Sequence, residues 1–233
     1  IMVKKVLLRG GKKLYWKDGD LHSSDGVVKA EDLASDKSEV HSHSGKAFKV
    51  YNANFLDMLK KIKRGPATFV EKDLAYFLLH SSVDKDSLVV DAGSGCGVVA
   101  ATLARYAKKV VSYDRRDDHL KIAKRNIEYL GLDNVEFKLG DVTEGISERD
   151  VDVLTLDLPE PWKVSLDCMK NGGAILVYLP TIVQVQEFCE KTEAHVDKVV
   201  ELIEREWHVE GKRVRPKSQM IAHTAFLIIC RKV

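Results

Sequence analysis

LVVDAGSGCG, at residues 88–97, is the stretch that decides the fold of this chain. A short apolar run with β-branched valines is typical of a buried strand, and a turn with Gly93, Gly95 and Gly97 follows it. Glycines permit positive φ angles and let a ligand approach the backbone where a Cβ would collide. Residues 98–104 then predict a helix whose N-terminus offers free N–H groups to a polar ligand. The stretch therefore predicts a strand–turn–helix unit that binds a ligand at its turn.

A second signal, an acidic residue, follows this unit. Residues 110–114 predict the next strand, which ends at Asp114, where the acid of a nucleoside-binding βαβ unit holds a ribose diol. A dinucleotide fold prefers Gly-x-Gly-x-x-Gly, because its third glycine permits close packing beneath a pyrophosphate. The spacing here is Gly93, Gly95 and Gly97, preceded by Asp91. It resembles the first motif of class I methyltransferases that use S-adenosylmethionine, and that interpretation is favoured over a nicotinamide dehydrogenase.

The composition limits the classes of protein to which the chain can belong. Of its 233 residues 45% are hydrophobic, and the formal net charge is only +2, so any nucleic-acid surface must be a local patch. No run has the length of a membrane helix, and no signal-peptide pattern is found. The four cysteines are scattered without a CxxC pair, which argues against zinc and for a reducing compartment. We therefore predict a cytoplasmic protein with no metal and no membrane contact.

The remaining patterns predict two domains. Residues 1–65 contain short strands around glycine turns and then a helix over 54–64 with Phe55, Leu59 and Ile62 on one face, so they predict a small N-terminal β module. Residues 66–233 alternate strands with helices, which predicts an α/β fold with a doubly wound, mostly parallel sheet. The predicted elements after Asp114 are a helix with Leu120, Ala123, Ile127 and Leu130 inward, and strands at 135–139, 151–156, 172–178, 199–209 and 224–230.

Acidic residues stand at the ends of four predicted strands. The carboxyl ends of parallel strands form the edge of the sheet where ligands bind. We assign Asp114 to the ribose hydroxyls and Asp141 to the adenine amino group of the cofactor, with the Val142 N–H nearby, and we expect Asp91 to brace the turn. Asp157 is followed by LPEPW, and two prolines stiffen that loop. A stiff loop suits a group that positions a substrate.

The loop DLPEPW at 157–162 resembles the fourth motif of the tRNA (adenine-N1)-methyltransferases that modify the T-loop. Four further segments resemble the same family, namely RGP at 64–66 with KD at 72–73, YLPTIVQVQ at 178–186, RP at 215–216 and HTAFL at 223–227. Asp114 stands where the family usually has glutamate. Val70 and Glu71 stand where the family often has an aromatic residue and proline, and the adjacent Phe69 is predicted to pack against the cofactor.

The resemblance implies a Rossmann-like class I fold, a homotetramer and methyl transfer from S-adenosylmethionine to N1 of a T-loop adenosine, adenine-58 with adenine-57 as a second candidate. It also implies that Asp157 is the catalytic residue. Lys212, Arg213, Arg215 and Lys217 form the best basic cluster for the tRNA backbone. The predicted cofactor-binding residues are Phe69, Gly93, Ser94, Gly95, Cys96, Gly97, Val98, Asp114, His119, Asp141, Val142 and Asp157.

Alternative functions remain at this point. A methyltransferase for a protein carboxylate or a small molecule would keep the cofactor site, but it would have no use for the DLPEPW loop. A non-catalytic tRNA-binding subunit would bind tRNA without turnover, and the intact glycine turn with Asp157 argues against it.

Overall fold

The computed structural model describes residues 1–65 and 69–233. Their contacts divide them into two compact units, residues 1–63 with 128–131 and residues 64–127 with 132–233. The predicted start of the second domain, Pro66, lies outside the described residues. Within the described ranges, no helix is both long enough and apolar enough to cross a membrane.

The first unit is a small antiparallel β structure. Its elements are β1 (Lys5–Arg9), β2 (Lys12–Trp16), β3 (Leu21–Ser23), β4 (Gly26–Val28), α1 (Ala30–Ala34), β5 (Glu39–His41), β6 (Ala47–Asn52) and α2 (Phe55–Leu59). One sheet has the order β2-β1-β6-β5, and β3 pairs with β4 in a second sheet. Gly10 and Gly11 join β1 to β2 with φ of +52° and +77°, as a two-residue hairpin turn requires. Leu7, Trp16 and Phe48 are buried in its core.

The linking helix is shorter than the predicted span of 54–64. Asn54 and Asp57 form a capping box that starts α2, which ends at Leu59. Beyond it, the Lys61 and Ile62 N–H groups bond to carbonyl oxygens three residues back, at 2.9 and 3.4 Å. A turn with three-residue spacing places Leu59 and Ile62 on the same side, and both side chains are buried. Residues three apart share a side in an α-helix as well, so the apolar spacing of Leu59 and Ile62 is met by either structure and does not determine where α2 ends.

The second unit has helices on both faces of one large sheet. The strands of this unit are β7 (Leu88–Ala92), β8 (Lys109–Asp114), β9 (Val135–Leu139), β10 (Val151–Leu156), β11 (Met169–Leu179), β12 (His195–Glu201), β13 (Trp207–Glu210), β14 (Arg213–Pro216) and β15 (Phe226–Arg231). Its helices are α3 (Glu71–Ser81), α4 (Val98–Ala104), α5 (Asp117–Leu130) and α6 (Ile182–Lys191). The inward face predicted for α5 is confirmed, since Leu120, Ala123, Ile127 and Leu130 are buried.

The seven-stranded sheet has the order β12-β15-β11-β10-β7-β8-β9. Strands β11, β10, β7, β8 and β9 are parallel, and β15 is antiparallel to both of its neighbours. The chain proceeds outward from β7 through β8 to β9 and then returns to β10 on the other side of β7. This reversal creates a crevice at the carboxyl ends of β7 and β10, where open α/β sheets bind ligands. The predicted doubly wound, mostly parallel fold is confirmed.

The predicted strand at 199–209 is wrong as one element. The chain leaves the main sheet at Glu201, which pairs with Phe226, the first residue of β15. No partner strand extends the ladder further among the described residues, and the next strand, β13, instead pairs with β14 in a separate hairpin. Gly211 has a φ of +53° in the turn of that hairpin. The sequence pattern identifies extended backbone here, but the available partner decides where each strand ends.

Candidate active site

Each glycine of the turn after β7 has its own physical reason. Gly93 has a φ of +98°, and a Cβ on it would lie 2.4 Å from the carbonyl oxygen of Asp157. A Cβ on Gly97 would lie 3.1 Å from the Cβ of Ala123, so this glycine permits close packing of α5. Gly95 has a φ of +51°, and a Cβ on it would meet nothing nearer than the carbonyl oxygen of Gly93, at 3.9 Å. Gly93 and Gly97 therefore serve close packing, while Gly95 leaves room for a ligand.

Asp91 braces the turn from below, as predicted. Its carboxylate is fully buried and accepts hydrogen bonds of 2.6 Å from the hydroxyls of Ser112 and Thr155. The Ser94 and Ser112 hydroxyls are also 2.6 Å apart. These bonds join β7 to β8 on one side and to β10 on the other. Burial raises the pKa of Asp91 to about 6, although the two hydroxyls oppose that shift.

Asp114 lies at the end of β8 with a nearly buried carboxylate. It accepts hydrogen bonds from the Gly95 N–H at 3.1 Å and the Arg116 N–H at 2.9 Å. Nδ1 of His119 is 3.1 Å from the same carboxylate. These contacts hold the acid beside the glycine turn. A carboxylate has about four lone-pair positions, so with these three contacts in place acceptor capacity remains for one ribose hydroxyl.

Asp141 follows β9 and stands on the cavity wall. The N–H and the hydroxyl of Thr143 donate to its Oδ1 at 3.0 and 2.7 Å, and these bonds hold its pKa below the usual value. Both bonds use the same oxygen, so Oδ2 is the acceptor available to an adenine amino group. The adjacent Val142 also lines the cavity.

Asp157 follows β10, and its backbone packs directly against Gly93. Its N–H donates to the carbonyl of Ala92 at 2.9 Å, which fixes the backbone at this point. By surface area Asp157 is exposed, because its side chain opens into the cavity, while protein atoms enclose most of the space around its carboxylate. Burial, together with the negative charges of Asp91 and Asp114, raises the pKa of Asp157 to about 7. The structure thus places three carboxylates close enough for the charge of one to affect another.

The raised pKa makes a prediction about stability. Between about pH 4 and pH 7 Asp157 holds a proton in the folded protein that it has lost in the unfolded chain. The contribution of Asp157 to the free energy of unfolding therefore falls as the pH rises through this range. Asp157→Asn removes that charge. We expect the variant to exceed wild type in free energy of unfolding by about 1–2 kcal/mol near pH 8, after a discount for the solvent in the cavity. The difference should shrink near pH 4.5, as measured by thermal unfolding without cofactor.

The control for this measurement is Asp86→Asn, which neutralises an exposed carboxylate. Its melting temperature should differ from that of wild type by a similar amount at both pH values. An Asp157→Asn variant no more stable than wild type at pH 8 would contradict the prediction.

These residues surround one cavity of about 790 Å³, a volume typical of a small-molecule site. The predicted site residues that line it are Gly93, Gly95, Asp114, His119, Asp141, Val142 and Asp157. Their assignment to individual ligand atoms stays a prediction.

The other predicted site residues lie in the surrounding protein. Ser94 makes the hydrogen bond and Gly97 the packing contact described above. The Cys96 side chain is buried, and its carbonyl accepts a hydrogen bond of 2.8 Å from Asn126. Val98 and Phe69 are buried as well, and the Phe69 ring stacks on Tyr178 with centroids 3.9 Å apart. None of the five belongs to the cavity lining among the described residues.

Cationic residues at the cavity were not in the predicted site. Arg115, Arg116 and Lys163 all line it. Arg116 pairs with Asp118 and Lys163 pairs with Glu160, at 2.8 and 2.7 Å. A signal for the arginines was available, because they directly follow the acid that ends β8. The sequence alone did not indicate whether their side chains turn toward the crevice.

The chain matches the family model described as a methyltransferase domain over residues 83–207. It is 33% identical to the tRNA (adenine(57)-N(1)/adenine(58)-N(1))-methyltransferase TrmI of Methanocaldococcus jannaschii, over 96% of this chain and 92% of that protein. A crystal structure of tRNA (m1A58) methyltransferase from Aquifex aeolicus superimposes with a TM-score of 0.85 and 26% identity, covering 99% of this chain and 96% of the other. A SAM-dependent O-methyltransferase from Thermotoga maritima gives a TM-score of 0.89 with 29% identity, over 99% and 93% of the two chains.

Proposed function

Because this chain belongs to the tRNA (adenine-N1)-methyltransferase family, we propose that it methylates N1 of adenine-58 in the T-loop of tRNA. Adenine-57 is a second candidate target, since both positions are in the name of the Methanocaldococcus jannaschii relative. The observation that carries this proposal is the position of Asp157, a carboxylate on a proline-stiffened loop that enters the same cavity as the glycine turn.

S-adenosylmethionine is the cofactor of this methyltransferase. When bound, it supplies an electrophilic methyl group on a positively charged sulfur. The residues that line the cavity fit such a molecule, because the space at Gly95 lets a ligand lie against the backbone. Asp114 would accept a hydrogen bond from a ribose hydroxyl, and Asp141 one from the adenine amino group.

The chemistry of adenine N1 methylation explains how the Asp157 carboxylate would act. Adenine N1 has a lone pair in the ring plane, so its attack on a methyl group needs no prior deprotonation. The purine gains positive charge as the bond forms. A carboxylate that accepts the N6 amino hydrogen orients N1 and stabilises that charge in the transition state. The target base must leave its stack to reach this cavity, which costs a few kcal/mol.

The decisive experiment is incubation of a defined tRNA transcript with enzyme and S-adenosylmethionine, followed by mapping of the methylated positions. We expect 1-methyladenosine at position 58, and mapping shows whether position 57 is also modified. Methyl transfer to other acceptors without 1-methyladenosine would support the protein-carboxylate or small-molecule alternative. Binding of tRNA without turnover would indicate a non-catalytic subunit.

The β13–β14 hairpin supports a role in tRNA binding. Opposite residues in an antiparallel pair share a face, and the register pairs His208 with Arg215 and Glu210 with Arg213. Both arginines are exposed on that face, and Lys212 is exposed in the turn. Lys217 differs, because it forms an ion pair with Glu206 at the base of the hairpin. We therefore narrow the predicted basic cluster to Lys212, Arg213 and Arg215.

Removal of both arginines should lower the salt dependence of tRNA binding. The slope of log K against log salt falls by about one for every phosphate that the protein no longer neutralises. We expect the double variant Arg213→Ala/Arg215→Ala to lower the slope by about two, measured by filter binding at several salt concentrations. Lys85→Ala removes an exposed cation before β7, at the opposite edge of the sheet, and should leave the slope unchanged. An unchanged slope in the double variant would exclude this face of the hairpin as a contact for tRNA phosphates.

The other face of the hairpin supports the proposed homotetramer. Trp207, Val209 and Val214 lie there and are 55%, 76% and 61% exposed. Contiguous exposed apolar side chains mark interaction sites in soluble proteins. Sedimentation of the purified protein measures the number of subunits. A tRNA substrate also supports the proposed cytoplasmic location.

A further inference from the structure

A buried ionic network lies at the carboxyl edge of the sheet, and the proposed function does not yet use it. Asp73, in the first turn of α3, is fully buried. Its Oδ1 is 2.7 Å from Nζ of Lys72, and its Oδ2 accepts the hydroxyl of Tyr178 at 3.2 Å. Lys72 also donates to the hydroxyl of Thr224 at 2.7 Å. The network thus joins α3 to β11 and to the residue pair that precedes β15.

Tyr178 stands next to Asp157. The register pairs Leu156 with Val177, so Asp157 and Tyr178 are the next residues on adjacent parallel strands. Neighbouring strands lie about 5 Å apart. The charge of Asp157 also contributes to the raised pKa of the Tyr178 phenol, after the larger effects of burial and of Asp73. Tyr178 is therefore a hydrogen-bond donor on the strand beside Asp157, and its phenol is affected by the charge of that carboxylate.

Stability alone does not explain why Asp73 is buried. An acid in a first helical turn gains from the helix dipole without being buried, whereas burial of an ion pair costs desolvation that its attraction often fails to offset. Both oxygens of Asp73 contact side chains, Lys72 and Tyr178. Asp73 therefore accepts the hydrogen of the Tyr178 hydroxyl, while the Thr224 hydroxyl also bonds to that phenol.

We propose that Asp73, with Lys72 as its counter-ion, is a positioning residue for methyl transfer that holds the Tyr178 hydroxyl away from Asp157. A phenol has one donor hydrogen. Because Asp73 accepts it, the acceptor positions of Asp157 stay free for the N6 amino group of adenine. Lys72 balances the charge of Asp73, so little extra negative charge acts on Asp157. The inference rests on the proposed function, since only an amino-bearing substrate needs these free acceptors.

A double-variant experiment tests the inference. In Asp73→Ala the released hydroxyl competes for Asp157, and we expect the single-turnover rate to fall roughly ten- to a hundredfold. Asp73→Asn should lose less, because its amide oxygen still accepts the hydroxyl. In Asp73→Ala/Tyr178→Phe the competing donor is absent, so the rate should rise again to near that of Tyr178→Phe. Asp32→Ala is the control, since it removes a first-turn acid that pairs with Lys37 in the N-terminal unit.

A second readout does not depend on activity. A donated hydrogen bond lowers the pKa of a carboxylate, so carbon-13 NMR of the cofactor-free protein should show a lower pKa for Asp157 in Asp73→Ala. In Asp73→Ala/Tyr178→Phe the pKa of Asp157 should return to its wild-type value. If Asp73→Ala does not fold, Asp73→Asn with and without Tyr178→Phe gives a comparison of the same sign but smaller size, because the neutral amide oxygen accepts the hydroxyl more weakly than the carboxylate does.

Two results would overturn the inference: a double variant as slow as Asp73→Ala, or an Asp157 titration that is unchanged in the single variant. If wild type forms no 1-methyladenosine, the proposed function fails, while the NMR titration still tests the Asp73–Tyr178 contact.

Discussion

Asp157→Ala is expected to lower the single-turnover rate of methyl transfer to tRNA by about 10²–10³-fold, while S-adenosylmethionine still binds. The magnitude is that for loss of one preorganised group that stabilises transition-state charge. Cofactor binding should survive because Asp114 and Asp141, the acids assigned to the cofactor, follow β8 and β9, whereas Asp157 follows β10. The measurements are rapid-quench turnover with saturating cofactor, and calorimetric titration of S-adenosylmethionine.

Asp157→Asn is the matched variant for this prediction. Its amide oxygen still accepts a hydrogen bond from the N6 amino group, but it lacks the negative charge that opposes the charge on the purine. We therefore expect a rate between those of wild type and the alanine variant. Neither substitution should unfold the protein, because each removes a carboxylate that is unfavourably charged above pH 7. A single-turnover rate near wild type in Asp157→Ala would contradict the catalytic assignment.

Asp114→Ala is expected to weaken S-adenosylmethionine binding roughly ten- to a hundredfold. Hydrogen bonds to a charged acceptor contribute about 1.5–3 kcal/mol, which corresponds to this range. The substitution also removes the acceptor for the Gly95 N–H, so the turn itself becomes less well defined. Equilibrium dialysis of the cofactor measures the loss. At saturating cofactor the single-turnover rate should recover, unlike that of Asp157→Ala.

Asp114→Glu is the control, since it keeps the carboxylate and lengthens the side chain by one methylene. The longer side chain retains the same acceptor chemistry, so the affinity should stay closer to that of wild type than in the alanine variant. Unchanged affinity in Asp114→Ala would remove the ribose assignment, without affecting the assignment of Asp157.

Local sequence was sufficient to predict the strand–turn–helix around the glycine turn. Valines before a glycine turn indicate β7 because buried β-branched side chains favour extended backbone, and the apolar spacing of Leu120, Ala123 and Ile127 indicates α5 because helical periodicity places them on one face. The family resemblance likewise depends on short motifs. The predicted helix at 54–64 extended too far because apolar spacing does not determine where a helix gives way to a turn. The predicted strand at 199–209 extended too far because a strand ends where its partner strand ends.

What the sequence by itself determined is the identity of the elements and the acids at their ends. Only the tertiary structure decided which of these residues meet. Contacts such as Thr155 with Asp91 and Tyr178 with Asp73 join residues 64 and 105 positions apart. Periodicity along a strand reports which face is buried, but it contains no information about which strand lies alongside. The raised pKa of Asp157 therefore arises from the order of strands in the sheet, and the hydrogen bond of Tyr178 arises from the packing of α3 on β11.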